Sequence, residues 1–155
     1  MDKKSAGILL YRIDKFLEVL LIHPGGPFFK NRDEGVWSIP KGEINNENAF
    51  DCAKREFNEE TGSKIDGNFI ELQPVTQKNG KVVYCWAVEG NIDERHITSN
   101  TFQLEWPAKS GKFREFPEVD KAAWFDLSTA KEKINSRQFN FIEQLVDKLG
   151  GLVIS

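Results

Sequence analysis

An α+β sandwich is the fold class the sequence predicts. Three features lead there. Strand-length apolar runs recur along the chain, an Asn79-Gly80 pair joins two of them, and the few helical stretches do not alternate with strands in a regular βαβ order. The 155 residues suit one core, and residues 1–155 are taken as a single domain. Hydrophobic residues at 39% and aromatics at 12% exclude the disordered class. A net charge of −3 disfavours nucleic acid as a partner, since no broad basic surface is implied. A small anionic substrate would instead need a local cation.

The elements follow in order. GILLYRI, Asp14-Lys15 and FLEVLLIH read as a β-hairpin of two largely buried strands. PGGPFFKNRDEG is a Gly/Pro-rich loop carrying Phe28 and Phe29 side by side. VWSIP is expected to be a short strand ended by Pro40, and KGEINNE a second loop. A helix is expected from about Asn48 to Thr61, with Asn48 as N-cap, Asp51 three residues on, and Gly62 as the C′ stop. Strands are expected over Phe69–Gln77 and in KVVYCWAVEG, on either side of the Asn79-Gly80 turn. The stretch ITSNTFQLEWPAKSGKFREFPEVD reads as a mostly irregular surface excursion, and KAAWFDL as a further strand. STAKEKI opens a short helix with Ser128 as its cap. SRQFNFIEQLVDKLG is an amphipathic helix with Phe141, Leu145, Val146 and Leu149 on one face.

Cys52 and Cys85 form no CxxC pair and are read as reduced, buried thiols. With His23 and His96 they lack the spacing of a zinc site. No apolar stretch has the length of a membrane span and no signal-peptide pattern is present, so no membrane partner and a cytoplasmic location are expected.

The stretch REFNEETG, residues 55–62, concentrates acid at the end of the expected helix. At about 100° per residue, Ala49, Phe50, Ala53 and Phe57 form the apolar stripe. Glu56 and Glu60 border that stripe, and Glu59 lies a little further round. A solvated acidic face would lie opposite the core instead. Glu56 and Glu60 are an i,i+4 like-charge pair, costing a few tenths of a kcal/mol. Glu59 and Glu60 also sit at the negative end of the helix dipole. Arg55 precedes Glu59 in the weaker i,i+4 orientation and is expected to give only partial relief. A divalent ion would remove these penalties together, and an all-oxygen donor set suits Mg²⁺, with Mn²⁺ as the alternative.

GEINNENAFDCAKREFNEETGSKI resembles the Nudix box, G-x5-E-x7-R-E-U-x-E-E-x-G-U, where U is a bulky apolar residue. Glu47, Arg55, Glu56, Phe57, Glu59, Glu60 and Gly62 occupy the matching positions. Two departures stand out: Gly42 to Glu47 is one residue shorter than the pattern, and Ser63 fills the last U position. SAGILLY, LEVLLIHPGGPFF, VWSIPKGE, FQLEWP and REFPEVDKAAWFDL extend the resemblance to about Leu127. They look like a bacterial branch described as predicted NTP pyrophosphohydrolases. The resemblance implies an α/β/α sandwich with a mixed β-sheet. It also implies Mg²⁺-dependent hydrolysis of a nucleoside diphosphate linked to a group X. The partner would then be a small nucleotide-like diphosphate, and the chain a monomer or homodimer. Because Pro-Lys-Gly also precedes the box in dinucleoside polyphosphate hydrolases, that class is the close second. A Nudix-like module that binds nucleotide without turnover is a third.

The family pattern implies that Glu56, Glu59 and Glu60 hold the metal, with Glu47 and the Gly42 carbonyl in support. Glu59 and Arg55 would belong to the catalytic set, Arg55 orienting a neighbouring carboxylate. Some members use a glutamate six residues before a late-strand Trp as general base; Glu118 precedes Trp124 by six. Glu105, Glu115, Asp120 or a box glutamate are the alternatives. Lys41 and Arg12 are the candidate phosphate cations, followed by Lys30 and Arg114. Phe28, Phe29 and Trp37 are the candidate nucleobase platforms.

Overall fold

The computed structural model describes residues 3–150. Its centre is a mixed seven-stranded sheet. β1 (Lys4–Ile13) turns at Asp14–Phe16 into β2 (Leu17–Pro24), and the two pair antiparallel with Tyr11 opposite Val19. The other edge of β1 pairs parallel with β6 (Val82–Glu89), from Lys4 opposite Val82 to Tyr11 opposite Glu89. β2 pairs antiparallel with β9 (Val119–Asp126).

Both long strands are apolar almost throughout because the sheet is covered on both faces. Alternation then sorts their side chains. Ile8, Leu10, Leu20 and Ile22 meet α1 (Ala49–Thr61) through Cys52, Ala53 and Phe57. Leu9, Tyr11, Val19 and Leu21 meet α3 (Phe139–Lys148) through Phe141, Ile142 and Leu145. Phe57 and Phe141 are fully buried, one anchoring each helix, worth about 1.5–3 kcal/mol apiece. The α+β class and the sandwich with a mixed sheet are therefore as expected. Cys52 and Cys85 are both buried and free.

α1 begins and ends where its signals are. Asn48 Oδ1 accepts the Asp51 backbone N–H at 2.8 Å, and Gly62 takes the left-handed conformation at φ 79° while its N–H caps the Asn58 carbonyl.

Other elements differ from expectation. Lys41–Glu43, expected as loop, is strand β3 on β1, with Gly42 opposite Ala6. VWSIP makes only single bridges, Ser38 with Ile22 and Trp37 with Ile134. The strand expected over Phe69–Gln77 is two pieces, β4 (Ile70–Glu71) and β5 (Val75–Thr76), both on β6. Pro74 lies between them and has no N–H to give a ladder. The expected surface excursion contains a hairpin of β7 (Thr101–Glu105) and β8 (Phe113–Pro117), with Phe102 opposite Phe116. Its loop is held by Glu105, whose carboxylate accepts the N–H groups of Lys109 and Gly111. α2 (Leu127–Lys133) is capped by Asp126, which accepts from Thr129 N–H, and not by Ser128. A 3-10 turn at Ser136–Gln138 precedes α3.

Candidate functional site

α1 points its last two turns at β3, where Lys41 N–H donates to Glu60 at 3.0 Å. Gly42 sits against the Glu56 side chain so closely that a β-carbon there would overlap the carboxylate. Glycine at 42 is thus a requirement of the site and not of the strand. Cys52 reinforces the approach by donating to the Gly42 carbonyl at 3.6 Å. Burial pushes the Cys52 thiol up to about 11, so it stays protonated.

Arg55 occupies the middle of the acid group. Its guanidinium donates to Glu47 at 2.6 and 3.0 Å, to Glu59 at 2.7 Å and to Glu56 at 3.1 Å. The relief it gives is therefore larger than its spacing from Glu59 suggested. Glu47 adds to it. Asn46 takes φ 51°, and Glu47, steadied by Asn45 N–H at 3.1 Å, returns to reach Arg55 in bidentate fashion. Those bonds hold the Glu47 carboxyl down at about 2 and raise Arg55 further.

Glu56 and Glu60 remain under strain. Burial, then the neighbouring Glu59 charge, lift Glu56 to about 7 despite Arg55. Burial lifts Glu60 to about 8, and the Lys41 N–H bond of 3.0 Å only partly opposes it. Both carboxylates would gain from a cation beyond Arg55. Among the described residues, no three Asp, Glu, His or Cys side chains come together as a group that could hold a metal ion. The donor set nonetheless fits Mg²⁺, which takes few protein carboxylates and keeps positions for water and phosphate oxygens.

A cleft of about 170 Å³ opens beside this edge, lined by Ile22, Pro24, Val36, Ser38, Ile39, Lys41, Glu60 and Glu118. The structure thus brings Glu118 to the box carboxylates. Desolvation, followed by the Glu59 charge, raises its pKa. Lys41 supplies the cation in the cleft, and burial, together with Lys81, lowers its pKa. Arg55 and Glu59 also border a wider cleft of about 600 Å³ with Lys54, Asn58, Lys64, Ile65 and Asp66.

The remaining candidates lie elsewhere or are committed. Arg12 is at the far end of β1 from Gly7, where Lys41 pairs. It is held by Glu18 at 2.8 Å, Asn91 at 2.9 Å and the face of Trp124. Trp37 is a core residue, 4% exposed, donating to Asp33 and packed edge-on to His23 and Phe125. Phe28 is 63% exposed and meets Trp106 edge-to-face; Phe29 is partly buried in the same loop. Lys30 is exposed, and Arg114 lies over Phe116. Among the other candidate bases, Asp120 is taken by His23 at 2.8 Å, Glu105 by its loop, and Glu115 is exposed on β8. Segment 98–100, which sequence reasoning passed over, bonds the end of α1 to Glu118.

A family model described as the NUDIX domain matches residues 1–145. The chain belongs to the Nudix family. No curated protein matches it. Among solved structures, this Nudix chain is similar to a C. elegans Ap4A hydrolase binary complex, with 19% identity and a TM-score of 0.64, covering 96% of this chain and 99% of that one. The NUDIX domain of Shewanella oneidensis NrtR, complexed with ADP ribose, is 19% identical at a TM-score of 0.65, covering 96% and 89%. A mutT/nudix family protein from Listeria innocua is 16% identical at 0.62, covering 97% and 95%. At these identities the likeness shows the Nudix fold. Among the described residues no helix is long and apolar enough to cross a membrane.

Proposed function

We propose that this Nudix chain is a Mg²⁺-dependent hydrolase of a diphosphate linkage in a nucleoside diphosphate linked to a group X. Mn²⁺ is the alternative ion. The observation that carries the reading is the juxtaposition of Glu60, Glu118 and Lys41 around one cleft, with Glu56 and Glu59 on the same helix edge. A non-catalytic module has no need of a complete carboxylate set whose burial is costly.

Glu56, Glu59 and Glu60 would hold the ion, with Glu47 in support. Once bound, it would neutralise the diphosphate and acidify a coordinated water. Lys41 meets the negative charge of the phosphate oxygens in a partly desolvated cleft. Glu118 takes a proton from the attacking water; its raised pKa suits a general base. The water oxygen bonds to phosphorus as the bridging P–O bond breaks, and the leaving phosphate carries away the electron pair. Arg55 keeps Glu47, Glu56 and Glu59 in one orientation. Phe28 is the aromatic left open for a nucleobase.

The test is a phosphate-release screen with Mg²⁺ over nucleoside triphosphates, dinucleoside polyphosphates and nucleotide sugars. Glu59→Gln should lower turnover on the best substrate on the order of 10²-fold or more, with an unchanged circular dichroism spectrum. Tight binding of one nucleotide with no turnover of any would instead identify a binding module.

A further inference from the structure

The last turn of a helix leaves carbonyls without intrahelical partners. In α1 the Asn58 carbonyl is capped by Gly62 N–H at 2.7 Å, and the Phe57 carbonyl also receives Thr61 Oγ1 at 2.7 Å. The next ones are met from outside. Thr98 N–H donates to the Thr61 carbonyl at 3.0 Å, and Asn100 N–H to the Glu59 carbonyl at 2.9 Å. The strap lies directly on the helix end: a β-carbon at Gly62 would stand 3.0 Å from the Thr98 oxygen.

The same strap then reaches Glu118. The Asn100 carbonyl accepts Glu118 N–H at 2.8 Å. One residue therefore separates the backbone of Glu59 from the backbone of Glu118. Ser99 immediately precedes that residue in the strap. Its hydroxyl accepts Val119 N–H at 3.1 Å, and its single proton faces the carbonyls of Asn100 at 2.9 Å and Val119 at 3.1 Å. Val119 is buried, so this bond is made at a fixed point of β9 and not on a free loop.

We propose that Ser99 is a positioning residue for the diphosphate hydrolysis proposed above, on which this inference rests: its hydroxyl locks the strap that sets Glu118 against Glu59 and Glu60. Ser99 touches no reacting atom. It acts through the backbone of Glu118, and a shift of about 1 Å in a catalytic group can cost on the order of 10²-fold in rate. Without the hydroxyl, Val119 N–H loses its partner, and Glu118 is left to the Asn100 carbonyl and to Gly25 N–H at 2.9 Å, with the strap between them unlocked.

Two measurements test this. In the full chain, Ser99→Ala should speed amide exchange at Glu118 and Val119 by about tenfold or more, with the β1–β6 ladder unchanged. It should lower kcat by about tenfold to a hundredfold while KM stays within about twofold. Ser99→Thr, which keeps the hydroxyl, should restore kcat. In a Glu118→Gln background, Ser99→Ala should cause no further loss, because its effect passes through that carboxylate. Unchanged exchange at Glu118 and Val119, additive losses in the double variant, or no rescue by threonine would overturn the proposal. A wild-type protein that hydrolyses no diphosphate overturns the catalytic reading and with it any role of Ser99 in turnover. The exchange experiment still decides by itself whether the hydroxyl fixes the strap.

Discussion

α1 and α3 cover opposite faces of one sheet, yet they use their buried faces differently. α3 buries Phe141, Ile142 and Leu145, and Lys148 in its last turn complements the helix dipole. α1 buries Cys52, Ala53 and Phe57, but also Glu56, and its last turn carries no basic residue. One helix is built for packing. The other gives up part of its packing to hold carboxylates where water is scarce. α3 thus serves packing alone, whereas α1 combines packing with the candidate carboxylates.

The largest effect should come from breaking the packing helix. Phe141→Ala opens a cavity in a fully buried position and should cost about 3–5 kcal/mol in urea unfolding. Mg²⁺ uptake by the folded variant, read by calorimetry, should be unaltered, since α1 lies across the sheet. A lost metal affinity would show that the two faces are coupled.

Arg55→Gln attacks the comparison from the other side. It strips Glu47, Glu56 and Glu59 of a shared partner, so the metal-free protein should melt a few degrees lower at neutral pH. Excess Mg²⁺ should recover much of that loss. Equal destabilisation with and without the ion would mean that Arg55 matters for packing alone.

The smallest effect sharpens the contrast through pH. Glu60 is raised to about 8 and Glu56 to about 7, both above the ordinary carboxylate value. Between about pH 4.5 and 8 the folded protein therefore binds more protons at these sites than the unfolded chain. The metal-free protein should lose stability as pH rises through that window. Glu60→Gln should flatten this slope and raise the metal-free melting temperature at pH 8 slightly. A melting temperature that climbs from pH 5 to 8 at the same rate in both proteins would refute the assignment of buried charge to Glu60.

Local features of α1 were legible because they depend on neighbours in sequence. Asn48, Gly62 and the position of Glu56 beside the apolar stripe all read correctly from spacing alone. The β7–β8 hairpin carried a period-2 signal in TFQLE only, since the two Phe of FREFP lie three apart, and the long connecting loop lacks an Asn-Gly turn. The approach of Glu118 could be suggested only by resemblance, because it depends on where the strap crosses the helix end. The grip of Arg55 on Glu47 was hidden for a similar reason. It requires Asn46 in a left-handed conformation, which turns a short loop back on itself. Trp37 and Phe28 look alike as aromatic residues near a loop, and only burial separates the core residue from the open one.

The parallel pairing of β1 with β6 governs how the chain can be assembled. Lys4 meets Val82, and the outer edge of β2 waits for Val119–Asp126. During synthesis the first hairpin emerges early, with two apolar strands and no cover for either outer edge. Its contacts close only after Val82–Glu89 and Val119–Asp126 have left the ribosome, which slows folding and exposes a sticky intermediate. Expression at lower temperature, or with holdase chaperones present, should therefore raise the yield of this protein more than that of a chain whose first strands find their neighbours at once.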